Sequence, residues 1–186
     1  MSAVSGHLSP RDARDGSERT EDRAPNRLLF DISGVDLTNR SIGREAIEKL
    51  NPHRGDMSLL DYILWVGPEH RQSVALKQVR ANEFWVPGHF PDMPLLPGVL
   101  MIEAAAQLAC YVFNDRRKKN LIAAFLRIED ASFRSSVAPG DDLLLLCREV
   151  HYGRRRFIVD TQGVVGDRIA FEARLSGMVL RETAEE

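Results

Sequence analysis

Two cysteines, a formal charge of −2 and no internal repeat are all that 186 residues offer to several common ways of reading a chain. Two cysteines cannot build a disulfide framework. Cys110 lies in an apolar helical pattern and Cys147 in a strand-like run, so both read as buried reduced thiols rather than a disulfide or metal pair, in keeping with a cytoplasmic setting. The near-neutral charge gives no reason to expect a nucleic-acid partner, although Arg116, Arg117, Lys118 and Lys119 form one local basic run and Arg154, Arg155 and Arg156 another. The first 27 residues lack the apolar stretch of a secretory signal and mix five arginines with five acidic residues, which reads as a disordered tail. Residues 95–113 are long enough to raise the question of a membrane span. Pro97 and Gly98 at the start and Glu103 and Gln107 at the centre argue against it.

What is present is 44% apolar and 28% charged residues, the composition of one ordinary soluble domain with a real core. Residues 41–50 (SIGREAIEKL) place Ile42, Ile47 and Leu50 at near-helical spacing, and Asn51-Pro52 ends that helix. A strand is expected at about 60–66, a turn at Gly67-Pro68, and a half-buried strand at 72–80, where Val74 and Leu76 alternate with the opposite face. A long helix, apolar nearly all round, follows at about 99–113. Strand-like runs at 127–137, 143–152, 155–165 and 168–180 then read as a four-strand meander, with Pro139-Gly140-Asp141 as one turn. This predicts an α+β domain over 41–180, an antiparallel β-sheet wrapped around a long central helix, with residues 1–27 and 181–186 as tails.

The stretch VPGHFPDMPLLPGVLMIEAAAQ (86–107) holds four of the nine prolines, a histidine, and one carboxylate in an otherwise apolar helix. A glutamate among Leu100, Met101, Ile102 and three alanines needs a compensating reason, because an unpartnered charge is expensive to remove from water. Such surroundings favour a carboxyl that keeps its proton. A histidine, titrating near neutrality, suits proton abstraction. Pro97-Gly98-Val99 reads as a helix start whose free N–H groups can receive developing negative charge. Gln107 lies one turn beyond Glu103 on the same face and can orient the carboxyl or a water.

Gly88-His89-Phe90-Pro91, Pro94, Pro97-Gly98-Val99-Leu100, Glu103-Ala104 and Gln107 together resemble the signature of the bacterial 3-hydroxyacyl-acyl-carrier-protein dehydratases of the FabZ type, members of the hotdog-fold superfamily. Pro52-His53-Arg54 with Leu59-Leu60-Asp61, Asn82-Glu83, Phe133-Arg134 and Pro139-Gly140-Asp141 fall in register, so the resemblance spans about 42–180. It implies a single hotdog domain that eliminates water from 3-hydroxyacyl thioesters in fatty-acid or related acyl synthesis. His89 would be the base, and Glu103 the acid or hydroxyl-positioning group. Gly98 and Val99 at the helix start, with Gln107, would contact the substrate. Arg134, Arg116 and Lys118 would meet an acidic acyl carrier protein.

That chemistry requires no metal and no cofactor. Departures from the family pattern fall at Gly55, Asp56, Met57 and Ser58, at Asp92-Met93 and at Ser135. They bear on the acyl channel and the carrier surface rather than on the catalytic pair.

Blander readings exist for each residue. His53 packs or caps between Pro52 and Arg54, His7, His70 and His151 read as surface residues, and the basic run after the helix complements its dipole. A FabA-type enzyme would carry aspartate where Glu103 stands, a hotdog thioesterase does not need the histidine motif, and a catalytically silent acyl-binding domain is the rival of a different class. The segment between His89 and the helix start at Gly98 contains three prolines and favours an extended path, which can cover on the order of 25 Å. A same-chain meeting would require a tight return, and the resemblance implies instead a homodimer whose two sites each pair one subunit's histidine with the other's glutamate; among assemblies beyond the dimer, which the sequence does not fix, it offers a trimer of dimers.

Overall fold

The computed structural model describes residues 27–182. A two-residue strand β1 (Ile42–Gly43) leads into a short helix α1 (Arg44–Glu48), followed by β2 (Tyr62–Val66) and β3 (Gln72–Gln78). The long helix α2 (Gly98–Arg117) comes next, then β4 (Leu121–Phe133), β5 (Asp142–Tyr152), β6 (Arg156–Val165) and β7 (Arg168–Glu182). All seven strands form one antiparallel sheet in the order β1-β2-β3-β5-β6-β7-β4.

The α+β layout expected from the sequence is therefore present, but one pairing differs. Strands β5, β6 and β7 follow one another as a meander, whereas β4 crosses to the far side of β7 and becomes the sheet edge. Apolar alternation shows that a strand has a buried face; it does not name the neighbour.

Helix α2 packs across β3, β5, β6, β7 and β4. Ala104, Ala105, Leu108 and Ala109 keep it close to the sheet, meeting Ala75, Leu145 and Leu175 in the main core. The helix starts after Pro97, whose fixed φ suits the position, and ends at Lys118 in the left-handed region. Asn114 is fully buried near that end, and its Nδ2 donates to Leu50 O at 2.8 Å and Leu121 O at 3.1 Å, tying α2 to the chain on both sides of it.

Strand β3 is not half-buried. Ser73 to Lys77 are buried in succession, because the sheet is covered on both faces. Ala75 faces α2, while Val74 and Leu76 join Leu64, Leu146 and Val164 in a second cluster on the outer face. That cluster is roofed by residues 28–37, with Leu29 buried and Phe30 tilted against Trp65 at 6.3 Å. Gln162 pins the roof: its Oε1 accepts from Leu29 N at 2.9 Å and its Nε2 donates to Arg27 O at 3.1 Å.

The domain thus begins earlier than residue 41. At the other end Arg181 and Glu182 still pair with β4, extending β7 into the expected acidic tail. The rest of both expected tails, and His7, lies outside the described residues.

Candidate active site

Proline and a set of backbone hydrogen bonds shape the loop that carries His89. Gly88 N and His89 N both donate to Trp85 O, at 3.1 and 2.9 Å, and Leu95 N returns to His89 O at 2.8 Å. The ring is stacked on Phe90 with centroids 4.3 Å apart, and its Nδ1 lies 2.7 Å from Leu95 O. A carbonyl oxygen only accepts, so Nδ1 carries the hydrogen and a neutral ring keeps its lone pair on Nε2. The fold thereby selects the tautomer a base requires.

A buried ionic hub braces this loop. Glu83 Oε2 accepts from Lys77 Nζ at 2.8 Å and from Trp85 Nε1 at 2.9 Å, while its Oε1 accepts from Arg80 N at 2.9 Å. Lys77 is only 3% exposed, so the pair is a desolvated one. Burial pushes the Glu83 carboxyl up, but these donors together hold it below its usual range. Asn82-Glu83 was visible as a motif; the partnership with Lys77, a buried lysine near the end of β3, was not.

Glu103 sits in the second turn of α2, on a side that is not sealed by aliphatic residues: its side chain is 22% exposed. Gln107, one turn on and almost fully buried, donates from Nε2 to Glu103 Oε1 at 2.9 Å and to Met57 O at 2.8 Å. Its Oε1 accepts from Leu59 N at 3.0 Å. The amide is fully engaged within the protein, so Gln107 orients the carboxyl rather than presenting a free group to a ligand. The compensation that the sequence demanded for Glu103 is this amide and partial solvent access.

His53 is the residue that sequence reasoning undervalued. Its Nε2 lies 3.5 Å from Glu103 Oε1. Burial pulls the imidazole below its ordinary pKa, against the opposing influence of Glu103 and with help from Arg54. Its Nδ1 is buried without a hydrogen-bond partner. His53, Glu103, Ala106, Cys110, Phe125 and Phe157 are among the residues lining a cavity of about 170 Å³ between α2 and strands β4 and β7. His89 is not part of that lining. Among the described residues no hydrogen bond or ion pair joins His89 to Glu103 within one chain.

Gly98 opens α2, but the group that approaches it is the Phe133 ring: a Cβ at this position would stand 2.6 Å from the ring. Glycine is required there by packing in addition to any contact with substrate. Val99 beside it is exposed. The three basic residues expected to meet a carrier each have an internal acidic partner: Arg134 with Glu172 at 2.6 Å, Arg116 with Glu149 at 2.7 Å and Lys118 with Asp115 at 2.7 Å. Arg116 also lies over the Tyr152 ring at 3.9 Å. His70 departs from its expected surface role, bonding Asp115 through Nε2 at 2.9 Å.

Cys110 and Cys147 are both free and buried, and burial pushes each thiol up to about 12, so neither is a nucleophile. Among the described residues no three His, Cys, Asp or Glu side chains are grouped to hold a metal ion. Nor is any described helix long and apolar enough to cross a membrane.

Residues 51–174 match the family described as FabA-like domain. The 3-hydroxyacyl-[acyl-carrier-protein] dehydratase FabZ of Chlamydia muridarum is 39% identical over 146 residues, covering 76% of this chain and 94% of the relative. The protein of the same name from Clostridium kluyveri is 36% identical over 138 residues, covering 74% and 95%. Among solved structures, the dehydratase heterocomplex ApeI:P from Xenorhabdus doucetiae superposes with a TM-score of 0.65 at 16% identity, covering 73% of this chain and 91% of that one. Cj0977 from Campylobacter jejuni does so with a TM-score of 0.55 at 15% identity, covering 75% and 90%. At those identities the two structures speak for the fold alone. Fold, motif order and sequence likeness converge: the chain belongs to the FabA-like family of hotdog-fold proteins, alongside its FabZ-type relatives.

Proposed function

We propose that this protein removes water from 3-hydroxyacyl thioesters carried on acyl carrier protein, giving trans-2-enoyl thioesters for fatty-acid or related acyl synthesis in the cytoplasm. His89 Nε2 takes the C2 proton, and the electron pair passes toward the thioester oxygen. N–H groups at the start of α2, Gly98 foremost, are suited to receive that charge; losing one such donor typically costs about 2.7 to 4 kcal/mol of transition-state stabilisation. As the C2=C3 bond forms, the C3–O bond breaks and the hydroxyl leaves as water with the proton of Glu103. A proton then passes from the imidazolium to the carboxylate to restore both groups.

The observation that carries this reading is the Nδ1 contact of His89 with Leu95 O, which leaves a basic nitrogen free on the motif histidine. The separation of His89 from the Glu103 cavity within one chain supports a site shared between two subunits. The edge strand β4 supports a homodimer, because it is long and carries exposed Phe125, Leu126, Ile128 and Phe133. An unpaired edge of that length and apolarity is a ready pairing surface. A trimer of dimers is the higher assembly proposed, and Arg134, Arg116 and Lys118 are the proposed carrier contacts.

The test is a dehydration assay on 3-hydroxyacyl substrates of graded length, offered on carrier protein and on coenzyme A, followed by ultraviolet absorbance of the enoyl thioester. Enoyl product from carrier-bound substrate is the expected result. Release of free thiol without enoyl product would identify a thioesterase, and binding without turnover a silent acyl-binding domain.

A further inference from the structure

We infer that His53 is a positioning residue for Glu103, holding the carboxyl together with Gln107 by one oxygen and leaving the second oxygen for substrate. The inference rests on the proposed use of Glu103 and adds a third side chain to that site. His53 Nε2 and Glu103 Oε1 are 3.5 Å apart on the wall of the same cavity. Gln107 Nε2 already bonds that same Oε1 at 2.9 Å, so the two nitrogens flank one oxygen. Glu103 Oε2 has no protein partner among the described residues.

The segment carrying His53 is anchored to α2 one turn beyond Glu103. Asn51 Nδ2 donates to Gln107 O at 2.8 Å, and Arg54 Nη1 grips Asn51 O at 2.6 Å and His53 O at 2.7 Å. These bonds fix the backbone of His53 beside the carboxyl. Its other nitrogen, Nδ1, is buried with no partner. An N–H placed there would be an orphan donor, which is costlier than a bare lone pair. The proton of a neutral His53 therefore sits on Nε2, pointing at Glu103. Burial, with a smaller push from Arg54, disfavours the protonated ring against the pull of Glu103. A contact of 3.5 Å is long for a hydrogen bond, and catalytic contacts of this kind tighten when substrate enters.

The experiment measures kcat and KM for His53→Leu, His53→Met and His53→Gln, each alone and combined with Glu103→Gln, with melting temperatures to verify folding. The two apolar variants should lower kcat about tenfold to a hundredfold while KM stays within about twofold. His53→Gln, which restores an N–H donor at similar reach, should recover most of the loss. In the Glu103→Gln background the apolar variants should cause no further loss, since the group they act through is gone. Equal losses in both backgrounds, or failure of His53→Gln to rescue a folded protein, would show that His53 only supports the fold. Unchanged kcat in a folded apolar variant overturns the inference directly. Near wild-type turnover of Glu103→Gln overturns the reading of Glu103 itself, and is told apart by not involving position 53.

Discussion

His89 Nδ1 and Leu95 O stand 2.7 Å apart, six residues separated in the chain and joined by a turn in which Phe90 and Met93 exchange backbone hydrogen bonds. The loop therefore fixes the imidazole by its own backbone, and the histidine needs no carboxylate behind it. His89→Ala should lose about 10² to 10⁴-fold in kcat and remain folded, because a positioned base contributes on that scale. Steady-state kinetics with a melting curve check this. Activity within a few-fold of wild type removes His89 from the mechanism.

Subunit mixing tests the shared site. If His89→Ala and Glu103→Ala dimers exchange freely, half become mixed, and each mixed dimer holds one doubly damaged site and one intact site. About a quarter of all sites should then regain activity by the symmetry of an isologous pair. Sites contained within one chain would give no recovery at any mixing ratio, provided exchange is verified independently by mass-labelled subunits.

Lys77→Met should destabilise the fold by about 3 kcal/mol or more, since it leaves Glu83 without its cation in a desolvated setting. Lys77→Met with Glu83→Gln should recover part of that loss, because no uncompensated charge is left. Urea denaturation of the two variants measures the difference. A loss under about 1 kcal/mol for the single variant would mean that Trp85 and Arg80 suffice to hold Glu83.

Stability should also depend on pH through His53. Its imidazole is held below the ordinary value of 6.5, so below that pH the unfolded chain binds a proton that the folded chain refuses. More protons on the unfolded state means that stability falls as pH falls, and the fall continues until the folded His53 is itself protonated. At neutral pH and above, the contribution is flat. His53→Gln lacks this slope, so it should lose less stability than wild type between about pH 7 and pH 5. Parallel losses in the two proteins would place the acid sensitivity elsewhere.

Deleting residues 1–24 should leave the melting temperature nearly unchanged, whereas deleting 1–37 should lower it sharply and promote aggregation. The longer deletion strips the roof from Leu64, Val74, Leu76 and Leu146, exposing a contiguous apolar patch. Equal melting temperatures for the two truncations would show that the roof contributes nothing.

The parts legible in the sequence are those whose signals are local. Proline and glycine spacing located the histidine loop and the start of α2, and apolar runs located the helix and most strands. What escaped depends on residues distant in sequence. The return of β4 to β7 is set by how the sheet closes on the helix. The roof at 28–37 was missed because Leu28, Leu29, Phe30 and Ile32 follow a charged stretch with no regular period. Val74 and Leu76 do share one face, but it is the outer one, and the opposite face is buried as well. The nearness of His53 to Glu103 spans fifty residues and left no mark beyond the Pro-His-Arg triplet itself.

The amide of Gln107 has only one orientation that satisfies Leu59 N–H on one side and Met57 O with Glu103 on the other. Its NH₂ group is shielded from water and shares one partner with the chemistry, so its nitrogen and proton resonances form a native reporter. Any change in the charge of Glu103 alters the field at that nitrogen across a single hydrogen bond. Isotope labelling of glutamine side chains would let the charge of Glu103 be followed during turnover without attaching a probe or altering a residue.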